Sequence, residues 1–190
     1  GSAAISAAYP SGGGTGSVNI IPPFVSSKDL HIKSNCYRAP ALNTTFDIDK
    51  EVRASSPNIG ADELYDSLLV DDNIGIDAIL SPQAGFSFGF QQVRVRIRNY
   101  GKNNVTSCYI NFRLNGGSVV SQAVTGINLN TCDTVSVVFN TNPSLNSCLQ
   151  LYVYTTLPNG NQDNDTTNDG INTTIPFNIS GNFTIDPSGS

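Results

Sequence analysis

The chain has no Met and no Trp, only one His, and charged residues at 13% of its length, about half the share usual for soluble domains. Each scarcity excludes something. With ten Lys and Arg against fifteen Asp and Glu, a net charge of -5 and a sequence pI near 4.6, there is no clustered basic face for a phosphate backbone, so nucleic acid is not an expected partner. No apolar run approaches the roughly 18 residues that span a bilayer, and no basic-then-apolar segment opens the chain, so membrane insertion is not expected either. The four Cys, at 36, 108, 132 and 148, form no CxxC pair, and with His31 as the lone imidazole a tetrahedral zinc site lacks ligands. The Gly1-Ser2 start and the absence of Met are expected of a piece excised from a longer secreted parent.

What is present is period-two alternation. In VRVRIR, Val93, Val95 and Ile97 fall on one face and Arg94, Arg96 and Arg98 on the other, the pattern of a half-buried strand. CYINFRL repeats it with Cys108, Ile110, Phe112 and Leu114 against Tyr109, Asn111 and Arg113. Asn115-Gly116-Gly117 then reads as a tight reversal, because Asn and Gly accept positive φ. Further strands are expected in SVVSQAVTGI, at Thr134–Phe139 and at Leu149–Thr155, with Ile74–Leu80 opening the series and Gly170–Phe177 closing it. The expectation is an all-β fold, a seven-stranded Greek-key immunoglobulin-like β-sandwich over residues 74–178. Residues 1–65 show little sustained alternation and carry Pro22, Pro23 and Pro40; residues 66–73 read as a short acidic connector and 179–190 as a linker to a following module.

Two segments carry a resemblance. NIIPPFVSSKDLHI followed by DIDKEVRASSPNIGADEL, from Asn19 to Leu64, resembles the final coils and closing sequence of secreted right-handed parallel β-helix proteins, with Lys50 where the family usually has Gly. That implies a β-helix terminal cap over residues 1–65, in which Asp62 and Glu63 place charge along a stacked edge. VRVRIRNYGKNNVTSCYINFRLNGG, VTGINLN and LPNGNQDNDTTNDGI resemble CARDB-type immunoglobulin-like domains, a family named for bacterial adhesion. Such domains recur beside β-helix coils in large surface proteins of the Bacteroidetes exported by type IX secretion. The resemblance implies a secreted or cell-surface location and neighbouring domains of the same polypeptide as partners.

Three sets of residues are site candidates. Asp163, Asp165 and Asp169, with Asn161 and Asn164, offer oxygens for calcium, although their spacing departs from an EF-hand. The alternative is a polar turn in which Asn159-Gly160 reverses the chain and Asn168-Asp169 caps the return by side-chain hydrogen bonds, and this is preferred because it needs only local chemistry. Tyr109, Tyr152 and Tyr154, beside Arg113 and Gln150, share the polar parity of two strands that would neighbour each other, a platform for surface glycans. Covering a sheet face is the competing role. The Arg94, Arg96, Arg98 stripe reads as a solvated face.

For the cysteines, Greek-key order places the starts of the strands bearing Cys108 and Cys132 at one end, which makes Cys108–Cys132 the preferred disulfide and Cys132–Cys148 its competitor. His31 reads as structural, and Asp47 with Asp49 as part of the closing turn, so catalysis is not expected. The sequence thus points to a non-catalytic spacer or adhesion module. A carbohydrate-binding module and an accessory fragment of a polysaccharide-degrading β-helix enzyme are the alternatives.

Overall fold

The computed structural model describes residues 28, 31, 32, 36, 38, 45–58, 62–64, 69–85, 89–145 and 149–176. The chain divides into two units, Gly1–Val70 and Asp71–Ser190.

In the first unit, the segment around Asp47 turns because one carboxylate gathers several donors. Its Oδ1 accepts the backbone N–H of Asp49 at 2.9 Å and of Glu51 at 2.8 Å. The turn closes on an antiparallel bridge between Phe46 and Val52. Lys50 takes a φ of 68° there, the left-handed conformation that a side chain disfavours and that glycine accepts. A second bridge joins Arg38 to Asn58. Glu63 and Asp62 are buried rather than set along an edge, which corrects the expectation drawn from the sequence. Glu63 accepts the N–H of Asn58 and faces Arg38 and Arg53, each at 3.7 Å. Asp62 accepts the N–H of Ile32. The expected β-helix coils fall mainly on residues outside the described set.

Among its described residues the second unit is all-β apart from one 3-10 turn at Pro158–Gly160, and the strand pairings there are antiparallel. Its strands are β1 (Ile74–Ser81), β2 (Gly89–Phe90), β3 (Arg94–Asn99), β4 (Val105–Leu114), β5 (Val120–Leu129), β6 (Thr134–Val138), β7 (Ser144–Leu145), β8 (Leu149–Thr156) and β9 (Gly170–Ile175). One sheet has the order β1-β3-β6, a second the order β5-β4-β8-β9, and β2 pairs with β7.

The alternation in the sequence decides which face each strand buries. Val95 and Ile97 from β3 meet Ile110 and Phe112 from β4 and Leu151 and Val153 from β8 in one apolar cluster that joins the two larger sheets. Phe112 packs edge-to-face on Phe139, with ring centroids 4.7 Å apart, which adds to the burial of both rings. The β4–β5 hairpin reverses at Asn115 (φ 48°) and Gly116 (φ 73°), closed by Gly117 N–H to the Leu114 carbonyl at 2.8 Å. Two left-handed residues in succession match the right-handed twist of the flanking strands.

Two expectations are corrected here. Asp77 of β1 holds the guanidinium of Arg96 and, at 2.7 Å, that of Arg98, so these two arginines form a cross-strand ion network rather than a solvated face, while Arg94 is exposed. Cys108 is a free buried thiol, while Cys132 is disulfide-bonded, so the Cys108–Cys132 pair is not made. The reason is register. Cys108 lies opposite Val124, but β4 begins at Val105, which lies opposite Leu129, and Cys132 follows beyond that. Three residues along a strand cover about 10 Å, past the roughly 7 Å between Cα atoms that a disulfide spans. Cys148, the competing partner, lies outside the described residues.

Candidate functional site

The loop between β8 and β9 leaves the sheet through left-handed residues at Leu157, Asn159 and Gly160. Asn159 fixes this corner, accepting the N–H of Thr106 at 2.8 Å and donating to the Asn104 carbonyl at 2.8 Å. The chain then passes over the residues that lead into β1. Asp72 donates its N–H to Asn164 Oδ1 at 3.0 Å and accepts the N–H of Asn164 at 2.8 Å. Asn161 donates to Asp72 Oδ2 at 3.0 Å, and Ile74 donates its N–H to Asp163 Oδ2 at 2.8 Å. Two residues further along β1, Ile76 donates to the Asn168 carbonyl at 3.2 Å. The loop before the last strand therefore clamps the first one.

Within the loop, Asp163 Oδ1 accepts the N–H of Asp165, and Asp165 Oδ1 accepts the N–H and hydroxyl of Thr167. These are the side-chain turns expected of Asp in a polar loop. Asn168 and Asp169 behave otherwise. Their carbonyls take the hydrogen bonds, from Ile76 and from Thr155, while Asn168 Oδ1 and Asp169 Oδ1 are buried with no hydrogen-bond partner. The expectation that these two side chains cap the return into β9 is corrected accordingly. Asn73 Oδ1 is a third such oxygen, on a residue only 4% exposed.

The electrostatics follow from burial and like charge. Desolvation pushes the Asp169 carboxyl up to about 7, with Asp163 and Asp165 adding repulsion. Desolvation also raises Asp163, against two backbone hydrogen bonds that lower it, with Asp165 and Asp72 adding to the rise. The sequence singles out the three acids and gives Asn168 a capping role; Asn73 carries no signal until the chain is folded.

The tyrosines lie on the outer face of the four-stranded sheet, where Arg113 pairs with Tyr152, Asn111 with Tyr154 and Tyr109 with Thr156. Tyr152 and Tyr154 stack on each other at 4.9 Å, and the Arg113 guanidinium sits 6.0 Å from the centre of the Tyr152 ring. Tyr109 is 43% exposed. A depression of about 170 Å³ opens beside Arg113, Gln150, Tyr152 and Asn172. A larger one, about 280 Å³, lies between β1 and β9 against Ile79, Pro82, Ile171 and Ile175, and no titratable side chain lines it.

In the first unit, His31 Nε2 lies 2.8 Å from Asp49 Oδ2. Among the described residues, His31, Asp49 and Asp62 are the trio of His, Cys, Asp or Glu side chains whose ligand atoms all lie within 4.8 Å of one another. The histidine is half exposed and the geometry is that of an ordinary imidazole–carboxylate pair.

No family model and no curated protein matches the chain. Solved structures do resemble it. They include CARDB domains. One, from Pyrococcus furiosus, was crystallised in complex with di-metal ions; it is 15% identical with a TM-score of 0.42, over 58% of this chain and 90% of its own. The same domain in solution gives 14% identity and a TM-score of 0.44, over 57% and 97%. A domain of a provisionally named cell surface protein of Methanosarcina acetivorans gives 16% and 0.46, over 58% and 95%.

Proposed function

We propose that the chain is a non-catalytic spacer or adhesion module of a large secreted or cell-surface protein, with neighbouring domains of the same polypeptide as its partners. The observation that supports this reading is where the chain enters and leaves the sandwich. β1 starts beside the loop that precedes β9, tied there through Asp163 and Asn168. Past the other end of β1, Gly85 donates its N–H to the Pro176 carbonyl, just beyond the end of β9. Both terminal strands thus run the same way, and the chain arrives at one end and departs from the other. Eight residues of β1 at ~3.3 Å each separate the two points by roughly 26 Å, a geometry suited to tandem modules. The disulfide at Cys132 fits an oxidising, extracellular compartment.

The test is replacement. Exchanging residues 71–176 in the parent protein for an unrelated sandwich of equal end-to-end length should leave export and presentation of the adjoining domains intact. Loss of surface attachment despite normal export would show that this surface itself binds, and would refute the spacer role.

A second reading, glycan binding, is favoured by the depression beside Arg113, Gln150 and Tyr152. Retention on a glycan array that disappears in both Tyr152→Ala and Tyr154→Ala would support it, and an array without hits would remove it.

A further inference from the structure

We infer that the β8–β9 loop and the residue before β1 form a divalent-cation site, suited to calcium, with oxygens from Asn73, Asp163, Asp165, Asn168 and Asp169. Bound there, the ion fastens the incoming strand to the loop before the last one.

Several oxygens here lack partners. Asn73 Oδ1, Asn168 Oδ1 and Asp169 Oδ1 are all buried without a hydrogen bond, whereas some nine in ten buried polar atoms in folded proteins have one. An orphaned acceptor costs roughly 1–3 kcal/mol, so three of them, two on the loop and one on the residue before the strand that the loop clamps, call for a positive partner. Asn73 is the decisive one, because it lies outside the acidic loop and is almost wholly buried.

Its direction follows from carrying the alternation of β1 one residue back from Ile74. Ile74 and Ile76 belong to the apolar core, so Asn73 and Gly75 face the other way. That side meets Asn168: a Cβ on Gly75 would lie 2.5 Å from both its carbonyl oxygen and its Oδ1. Gly75 is bare because the loop packs directly on it, and Asn73 projects on the same side one step earlier.

Charge points the same way. Asp163, Asp165 and Asp169 repel one another, and no Lys or Arg pairs with any of them among the described residues. A divalent cation would neutralise two of the three charges. The donor set is oxygen only, which selects hard cations over zinc or copper. Mixed carboxylate and amide donors on an irregular loop suit calcium, with 6–8 ligands at 2.3–2.6 Å, better than the strict octahedron of magnesium.

The experiment is calcium titration of the whole chain, stripped of metal on a chelating resin, by isothermal calorimetry and by thermal unfolding in parallel. The expected result is one ion bound with Kd of about 0.1–1 mM, the range of extracellular modules. At ~10 mM calcium the unfolding constant should fall roughly 10- to 100-fold. Asn73→Ala should leave the metal-free protein no less stable, because it deletes an unpartnered acceptor, yet weaken calcium binding about tenfold or more. Asp169→Asn should do likewise. Absence of heat and of any melting shift up to 10 mM calcium would overturn the proposal, as would unchanged binding in both variants. Binding lost in Asp49→Asn but kept in Asn73→Ala would place the ion at the His31 trio and overturn this assignment.

Discussion

Asp169 should make the metal-free protein less stable as pH rises, and the size of the effect can be worked from its surroundings. Desolvation, then Asp163 and Asp165, push its carboxyl up to about 7 from an ordinary 3.8. A folded state that holds a proton more tightly than the unfolded chain gains stability from it. That contribution is fully present below about pH 3.8, declines as pH rises, and is gone above about 7. Three pH units at 1.36 kcal/mol each would give about 4 kcal/mol. The residue is only half buried, however, and solvent screening brings the working figure to about 1–2 kcal/mol. Asp163, also raised, acts with the same sign. Asp169→Asn keeps the shape and removes the charge, so it should match the wild type near pH 4 and exceed it by about 1–2 kcal/mol at pH 7.5, roughly 4–8 °C in Tm. Thermal unfolding of both proteins across this range, in buffers stripped of divalent ions, reads the difference directly. A gap between variant and wild type that stays constant with pH, or that turns in favour of the wild type as pH rises, would refute the reasoning.

Three further outcomes follow from other contacts. Lys50→Gly should stabilise the first unit by about 1 kcal/mol, because Lys50 sits at φ 68° where glycine carries no Cβ penalty; the urea midpoint should rise. Asp77→Asn should cost about 1–3 kcal/mol in denaturant unfolding, since its almost fully buried carboxylate holds both Arg96 and Arg98, one of which is substantially exposed to screening solvent. The Cys108 thiol, pushed up to about 12 by burial, should stay unmodified by iodoacetamide in the native protein at pH 8 and react once the protein is unfolded, as mass spectrometry would show.

The sandwich strands were legible because alternation is a local property with a global consequence. Val93, Val95 and Ile97 share a parity in six residues of sequence, and all three are fully buried; nothing distant was needed to know which side they would choose. The turn at Asn115-Gly116 was legible for the same reason, since it depends on the φ preferences of its own residues. Strand pairing is different. The arginine parity opposite Val93 was visible, but that Asp77 would lie across it depends on β1 docking beside β3. The alternation begins the strand at Cys108, whereas β4 begins at Val105, and those three residues take Cys108 out of reach of Cys132.

The candidate site shows the limit most sharply. Asp163, Asp165 and Asp169 stand out in sequence because acids cluster there, yet acids cluster in solvated turns too, and two of the three make local turn bonds. What separates a site from a turn is an acceptor that water cannot reach. Asn73 becomes one only when Gly75 lies against Asn168 and the neighbouring N–H of Ile74 is taken by Asp163, 89 residues away. In the sequence it is one more polar residue in an acidic connector. The loop holds the residues on either side of Asn73, Asp72 through Asn164 and Ile74 through Asp163, so a cation that satisfies the orphaned oxygens would also tighten the clamp.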